Sequence, residues 1–544
     1  MASLSDPAFS SHGDVLDLLH STVLSPKGLG TLLVTIVVIF LVSEAYHADF
    51  PRIQGIPEVP FALPFIGHLY RLGGRAGQND STIFTEWGKQ LKSPVFQCLF
   101  GNQRTVIVSD WATIRELWLR QSNALIDRPH QPGFLDKLGI DLTGSCMTDQ
   151  IRKCRAAGMR ALAKPNWPKY YHLLEPSSAN FIASVYQKSD NGRAAMDTYA
   201  FLRQIVFDLA LSLTYGARFG DVDDEFTLGL IKSINTISAF RSTTRKYRFF
   251  VHISRLIPEP TSQIVAAEKT RRWHRDILYQ QYQDRVARGE TVDCIVTSLT
   301  QDGLTTEEIH GTCLGLLQAA PDTVASGLYQ AMAWLSSPEG KPTQERALQA
   351  ILDAYHGDRT KAWNMAFREE RVPLISSINK ETLRFYTVTP YATPRRTTQE
   401  VKLPNGVTLP KGITLVMNAQ EANHEEAHYG ADAWKFNPDR FIDSSEAVGA
   451  GLPHLTFGAG SRICPAVAIS NRIICALLTR LILAFEMDGS SQEGRSPNVD
   501  PLDFSNVYDR LVAHPRYYDC HYKARDPAWL ESVLKEAEME AASN

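Results

Sequence analysis

From Leu304 the chain reads LTTEEIHGTCLGLLQAAPDTVASGLYQAMAWLSSPEG, in which Leu314, Leu317, Val324, Leu328 and Leu335 recur at helical spacing. Thr305 and Glu308 predict a capping box at its start, and Ser337-Pro338 a stop. Roughly thirty residues is long for a globular helix, whose mean is about eleven to twelve, so this one is expected to cross a whole domain. Pro321 removes one rung of its ladder at about 3 kcal/mol or more, which predicts a kink beside Asp322 and Thr323. That kink reads equally as a harmless bend with a solvated acid or as a functional break. A second amphipathic helix is predicted after Pro465, where Val467, Ile474, Leu477, Leu478 and Leu481 share one face. PVFQCLFGNQRTVIVSD and VKLPNGVTLPKGITLVM alternate in the manner of hairpins turned at Gly101-Asn102 and Asn405-Gly406.

Near the N-terminus, Leu29 to Val42 carries no charge. Fourteen residues reach only ~21 Å of a ~30 Å hydrocarbon core, but the run lengthens to Tyr46 or back past Lys27 and Pro26. It is read as an uncleaved membrane anchor over 29–46, with residues 1–28 on the lumenal side. A signal peptide is the competing reading, since Ser43-Glu44-Ala45 loosely resembles a cleavage site; Asp6, Asp14 and Asp17 stand where a basic cluster would be needed. Pro51, Pro57, Pro60 and Pro64 then predict a stiff, extended hinge over 47–67. No internal repeat or second linker follows, so residues 68–544 are expected to form a single large helical domain, mainly α with small β-sheets.

Composition narrows the function classes. The 544 residues are 44% hydrophobic and 21% charged, an ordinary globular balance. A net charge of -3 and a pI near 6.6 leave no basic field for a nucleic-acid backbone. Eight scattered cysteines contain no C-x-x-C pair, which implies reduced thiols in a cytosol-facing body.

Cys464 is placed just before the second helix, where free N–H groups, the macrodipole and the nearby Arg462 favour a thiolate able to serve as metal ligand or nucleophile. A lone cysteine before a helix is more often a packing residue, so the spacing around it has to decide. NHEEAHYG offers a rival, because His424, Glu425 and His428 spell H-E-x-x-H, the zinc-peptidase pattern. It follows a strand-like run and stops at Gly430, too short for that helix and without a third ligand, so a solvated surface turn is expected. Gly458-Ala459-Gly460 is no dinucleotide fingerprint either, since Ile463 stands where the third glycine belongs.

Phe457, Gly460, Arg462 and Cys464 match F-x-x-G-x-R-x-C, and KETLRF, FNPDRF and AAPDT precede that loop. Together these resemble the cytochromes P450, the heme-thiolate monooxygenases, over essentially the whole chain. The resemblance implies the cytochrome P450 fold, heme b (iron protoporphyrin IX) as cofactor and Cys464 as its iron ligand. It implies a Glu381–Arg384–Arg440 salt-bridge triad that supports the ligand loop, and Arg462 and Arg395 paired with the propionates. Met147 replaces a usual tryptophan, leaving Arg152 or Arg155 to serve there. Asp322 and Thr323 would relay protons to oxygen. The departures are Ala466, Ala320, Pro321 and Val324.

Only about sixty residues follow Phe485, too few for a flavin domain of ~100 residues, so electrons are expected from a separate NADPH-cytochrome P450 reductase in the endoplasmic reticulum membrane. CHYKARDPAWLESVLKEAE is similar to the fungal phenylacetate hydroxylase group, which implies oxidation of a small aromatic molecule in secondary metabolism. The altered kink keeps open a heme-thiolate isomerase, dehydratase or phenol-coupling enzyme. Pocket candidates are Leu316, Ala319, Val388 to Pro390, Val512, Ala513 and Phe240.

Overall fold

The computed structural model describes residues 26–543 apart from 75–76, 130–137, 218–224, 241–250, 252–260, 444–451 and 509. The helices that position the site are α1 (Pro26–Tyr46), α2 (Asp80–Leu91), α3 (Asp149–Ala161), α4 (Tyr171–Lys188), α5 (Tyr199–Tyr215), α6 (Glu225–Phe240), α7 (Thr261–Ala287), α8 (Thr306–Ser336), α9 (Pro373–Tyr386), α10 (Val467–Ala484) and α11 (Pro527–Ser543). The expected long helix is α8, and both halves of its capping box form: Glu308 N–H donates to Thr305 Oγ1 at 3.3 Å and Thr305 N–H to Glu308 Oε2 at 2.9 Å. It packs on α5, α9, α10 and α3, so it is the spine of the core. It passes through Pro321 as one uninterrupted helix; no break opens there.

Four strands form the main sheet in the order β1 (Val95–Phe100), β2 (Gln103–Val108), β6 (Thr414–Met417), β3 (Arg395–Arg396). β1 and β2 are the first expected hairpin, with Gly101 at φ +60° in its turn. β4 (Val401–Lys402) and β5 (Thr408–Leu409) are the second, turned through Gly406 at φ +87°. Both glycines hold left-handed backbone, which a side chain disfavours. A β7 (Phe485–Gly489) and β8 (Cys520–Ala524) ribbon joins α10 to the C-terminal part, and α11 packs on α4.

Two apolar helices of similar composition behave oppositely. The window Leu29–Tyr46 in α1 has mean hydropathy 2.1 and none of it is buried, whereas Val467–Ala484, at 1.7, is 89% buried and is the α10 core helix. The proline-rich segment that follows α1 is not a free hinge. Gln97 of β1 donates to the carbonyls of Ile53 (2.7 Å) and Ile56 (2.8 Å), and Ile53, Ile56 and Val59 are buried. At the other end of the hairpin Asn102 donates to the carbonyls of Glu44 (3.0 Å) and His47 (2.9 Å). The prolines do enforce an extended backbone, but its free carbonyls find donors along β1, so the segment becomes part of the body.

Candidate active site

The loop Phe457–Cys464 is a tight turn. Cys464 N–H donates to Phe457 O at 3.1 Å, Ile463 N–H to Gly460 O at 2.9 Å, and Ser461 Oγ to Ser122 O at 2.9 Å. Gly460 has φ +64° and a Cβ there would collide with the Trp118 carbonyl, so this glycine is dictated twice. Cys464 lies three residues before α10 begins at Val467. Burial pushes its thiol up, opposed by the Ala466 N–H and the charge of Arg155. The cation that reaches the sulfur is Arg155 in place of Arg462.

The sulfur faces a cavity of about 1280 Å³, including its open mouth. Leu316, Ala319, Thr323 and Val324 of α8 form the opposite wall, Val388 and Thr389 one flank, and Phe457, Pro465 and Ala466 the floor around Cys464. Arg128, Arg155, Arg395 and Arg462 also line it. Their hydrogen bonds go to main-chain carbonyls: Arg395 to Leu125 (3.1 Å) and Ala459 (2.6 Å), Arg462 to Ile126 (2.8 Å) and Ser145, Arg155 to Ile463 (2.9 Å), and Arg128 to Thr393 (2.5 Å) and Pro394 (2.9 Å). Arg395 Nε has no partner at all among the described residues. No carboxylate is among the described residues of the lining. Burial, reinforced by mutual repulsion, pulls Arg395 down to about 9 and Arg462 to about 10, and also pulls Arg128 down.

Four buried cations with no acid in the described lining suit a di-anion, Asp127 and Asp141 offsetting only Arg462 and Arg128, and a soft sulfur ligand lines the same cavity. This donor set fits heme. Cys464 would hold the iron, and the arginine wall would take the two propionates. Of the residues expected there, Arg155, Arg395, Arg462 and Phe457 line the cavity; Gly460 acts through the turn, and Arg152 is exposed and outside the lining. Arg128 carries no sequence signal; it is recruited by the carbonyls of Thr143, Thr393 and Pro394, which the fold brings from far along the chain.

Behind the loop, Glu381 holds Arg384 through two bonds of 2.8 Å, Arg440 Nε at 3.2 Å and the Asn437 N–H at 2.8 Å. All three side chains of the triad are buried or nearly so. Arg384 also donates to the Asn423 carbonyl at 2.7 Å, and the Asn423 side chain accepts from Leu455 N–H at 2.9 Å. Thr456 Oγ1 donates to Leu383 O at 2.5 Å. Asn423, unnoticed in the sequence, thus ties the triad to the entry of the Cys464 loop.

Asp322 and Thr323 diverge. Thr323 lines the cavity opposite Cys464, its hydroxyl donating to Ala319 O at 2.8 Å. Asp322 lines only an adjoining outer chamber, with an oxygen 2.9 Å from Arg203 Nε of α5. Neighbours in a helix point about 100° apart, and only Thr323 reaches the inner cavity, while both residues line the outer chamber. Leu316, Ala319 and Val388 line the inner cavity, whereas Val512 and Ala513 line the outer one. Pro390 is in neither lining, and the side chain of Phe240 lies outside the described residues.

The histidine motif is structural. His424 is buried, its Nδ1 2.8 Å from the Gln420 carbonyl, and its ring stacks on Trp434 at 4.2 Å. It is therefore not solvated, as its sequence neighbourhood implied. His428 sits on the four-residue helix Glu426–Tyr429 and stacks on Trp111 at 4.0 Å, while Glu425 accepts from the Trp111 N–H at 2.7 Å. No group of three metal-ligating side chains occurs among the described residues, which removes the zinc reading.

A family model, Cytochrome P450, matches residues 57–508. Phenylacetate 2-hydroxylase of Emericella nidulans is 31% identical over 511 residues, 92% of this chain and 96% of that protein. 3-Hydroxyphenylacetate 6-hydroxylase of the same organism is 24% identical over 91% of this chain and 94% of its own length. A zebra fish cytochrome P450 solved with abiraterone shares the fold at 19% identity and TM-score 0.64, covering 82% of this chain and all of that one.

Proposed function

The chain belongs to the cytochrome P450 family and is a monooxygenase of it, and from that premise we propose that it hydroxylates or oxidises a small aromatic molecule in fungal secondary metabolism. Heme b is the proposed cofactor and an NADPH-cytochrome P450 reductase the electron donor. The observation that carries the reading is Cys464 and Thr323 lining one cavity with four arginines and, among the described residues of its lining, no acid.

When bound, a cysteine-ligated heme supplies the activation of dioxygen, the thiolate favouring O–O cleavage. Thr323 commits its proton to Ala319 O, so its oxygen meets the cavity as an acceptor and donates only after its hydroxyl turns about the Cβ–Oγ bond. Asp322 holds a carboxylate next to that hydroxyl but is steadied by Arg203; in this proposal it reloads the alcohol through water. Leu316, Ala319 and Val388 offer an aromatic ring apolar walls that exclude water. Two relatives named for oxidising arylacetates support the aromatic part.

The exposed apolar α1 supports a single-pass anchor in the endoplasmic reticulum over 29–46, with residues 1–28 lumenal and the catalytic body, 68–544 together with the docked 47–67, facing the cytosol beside the reductase. The test is reconstitution with reductase, NADPH and labelled dioxygen against a panel of aromatic acids and phenols. One labelled oxygen atom per product molecule is expected. Product formed without label would instead support the isomerising, dehydrating or phenol-coupling chemistry.

A further inference from the structure

The outer chamber, about 1010 Å³ with its mouth, adjoins the cavity at Cys464, the two sharing Thr143, Gly315, Ala319, Thr323, Thr389 and Leu511. Its polar groups are sorted in an unusual way. Its one carboxylate, Asp322, is engaged by Arg203 Nε at 2.9 Å. The same guanidinium donates through Nη2 to Asn235 Oδ1 at 3.1 Å, and Arg271 Nη1 donates to Gln318 Oε1 at 3.2 Å. A guanidinium can only donate, so both amides must turn their oxygens toward the arginines. The Asn235 NH₂ end is left as a donor. Arg510 lines the same chamber, is exposed, and forms no ion pair among the described residues. The carboxylate and both amide oxygens are spoken for, whereas a full positive charge and an amide donor are not.

We infer that the outer chamber is an anion subsite: Arg510, assisted by Asn235, holds the carboxylate of a small aromatic acid whose ring lies in the apolar inner cavity over Cys464. This rests on the monooxygenase reading and narrows its substrate class. Arg510 is a specificity residue at the mouth, far from bond breaking. Because it is exposed, its contribution is that of one charge-assisted hydrogen bond in water, about tenfold in affinity, and it weakens as salt rises.

The test is equilibrium dialysis of the full-length holoenzyme with phenylacetate, its neutral isostere phenylacetamide, and p-cresol. Phenylacetate is expected to bind about tenfold more tightly than the amide. In Arg510→Gln the acid should fall to the level of the amide, the amide itself staying put, and Arg510→Lys should restore most of the preference. An unchanged carbon-monoxide spectrum in the variants shows that the heme site is intact. Equal binding of acid and amide to the parent, or an acid preference that survives Arg510→Gln, overturns the subsite. Binding of p-cresol alone overturns it too while leaving the aromatic reading in place; binding of none of the three overturns both.

Discussion

Two clusters of buried arginine lie on either side of the Cys464 loop, and they are opposites. Around Glu381 every charge is answered: one carboxylate takes Arg384, Arg440 and a main-chain N–H, and the spare guanidinium donors go to carbonyls. On the cavity wall Arg128, Arg155, Arg395 and Arg462 face one another across a space with no acid in its described lining. The first cluster is complete as folded; in the proposed reading the second is completed by an anionic ligand. Burying like charges together is expensive, and Asp127 and Asp141 offset it only at Arg462 and Arg128, so the arrangement suits a ligand's negative charge.

Removing the acid from the complete cluster should do the most damage. Glu381→Gln leaves Arg384, wholly buried, without its partner at about 3–5 kcal/mol, a large part of a typical 5–15 kcal/mol total. Little heme-loaded protein should be recovered, measured as heme per polypeptide; normal loading would break the contrast.

Acid should find the same cluster next. His424 and His454 lie near Arg384, and burial, then that charge, holds both down to about 3. Their folded values lie below the ordinary 6.5, so the stability from keeping them neutral is full above pH 6.5 and declines below it. Each histidine removes about 1.4 kcal/mol per pH unit, together about 2–3 kcal/mol by pH 5.5. Urea midpoints at pH 7 and 5.5 measure this, and a flat response would contradict it.

On the incomplete side, the same kind of substitution should leave the empty fold nearly untouched. Arg395→Met relieves an uncompensated charge but orphans the carbonyls of Leu125 and Ala459, so the apoprotein should stay within about 1 kcal/mol of its parent. Heme transfer to a competing apoprotein should nevertheless become about tenfold more favourable, the loss of one charged pair. Equal damage to both states would erase the distinction drawn here.

The Arg203–Asp322 pair sets the lower limit. Each side chain is 26% exposed, so solvent screens the interaction, and Arg203→Gln should change stability by under about 1 kcal/mol. Its effect should appear in turnover, by way of Asp322.

What the sequence disclosed depended on range. The Cys464 loop, the capping box and both hairpins are set by residues within a few positions of one another, and spacing exposes them. Arg128 and Asn423 matter because distant carbonyls and a loop N–H converge on them, which no local pattern records. The prolines of 51–64 do impose an extended chain, yet the donors of Gln97 that turn it from a hinge into part of the body lie forty residues on. His424 looked solvated because its helical turn is short and polar; Trp434 and Phe385, arriving from either side, bury it. Asp322 and Thr323 are adjacent in sequence, and helical geometry still lets only Thr323 reach the inner cavity, Asp322 being confined to the outer chamber.

The central claim is that the sulfur of Cys464 binds the iron of a heme whose acidic groups fill the arginine wall. The carbon-monoxide difference spectrum of the reduced protein, read beside that of Cys464→Ser, tests it most directly. The account predicts the red-shifted Soret band of a thiolate-ligated heme in the parent and its loss in the variant; a band at the histidine-ligated position, or an identical spectrum in both, would contradict it.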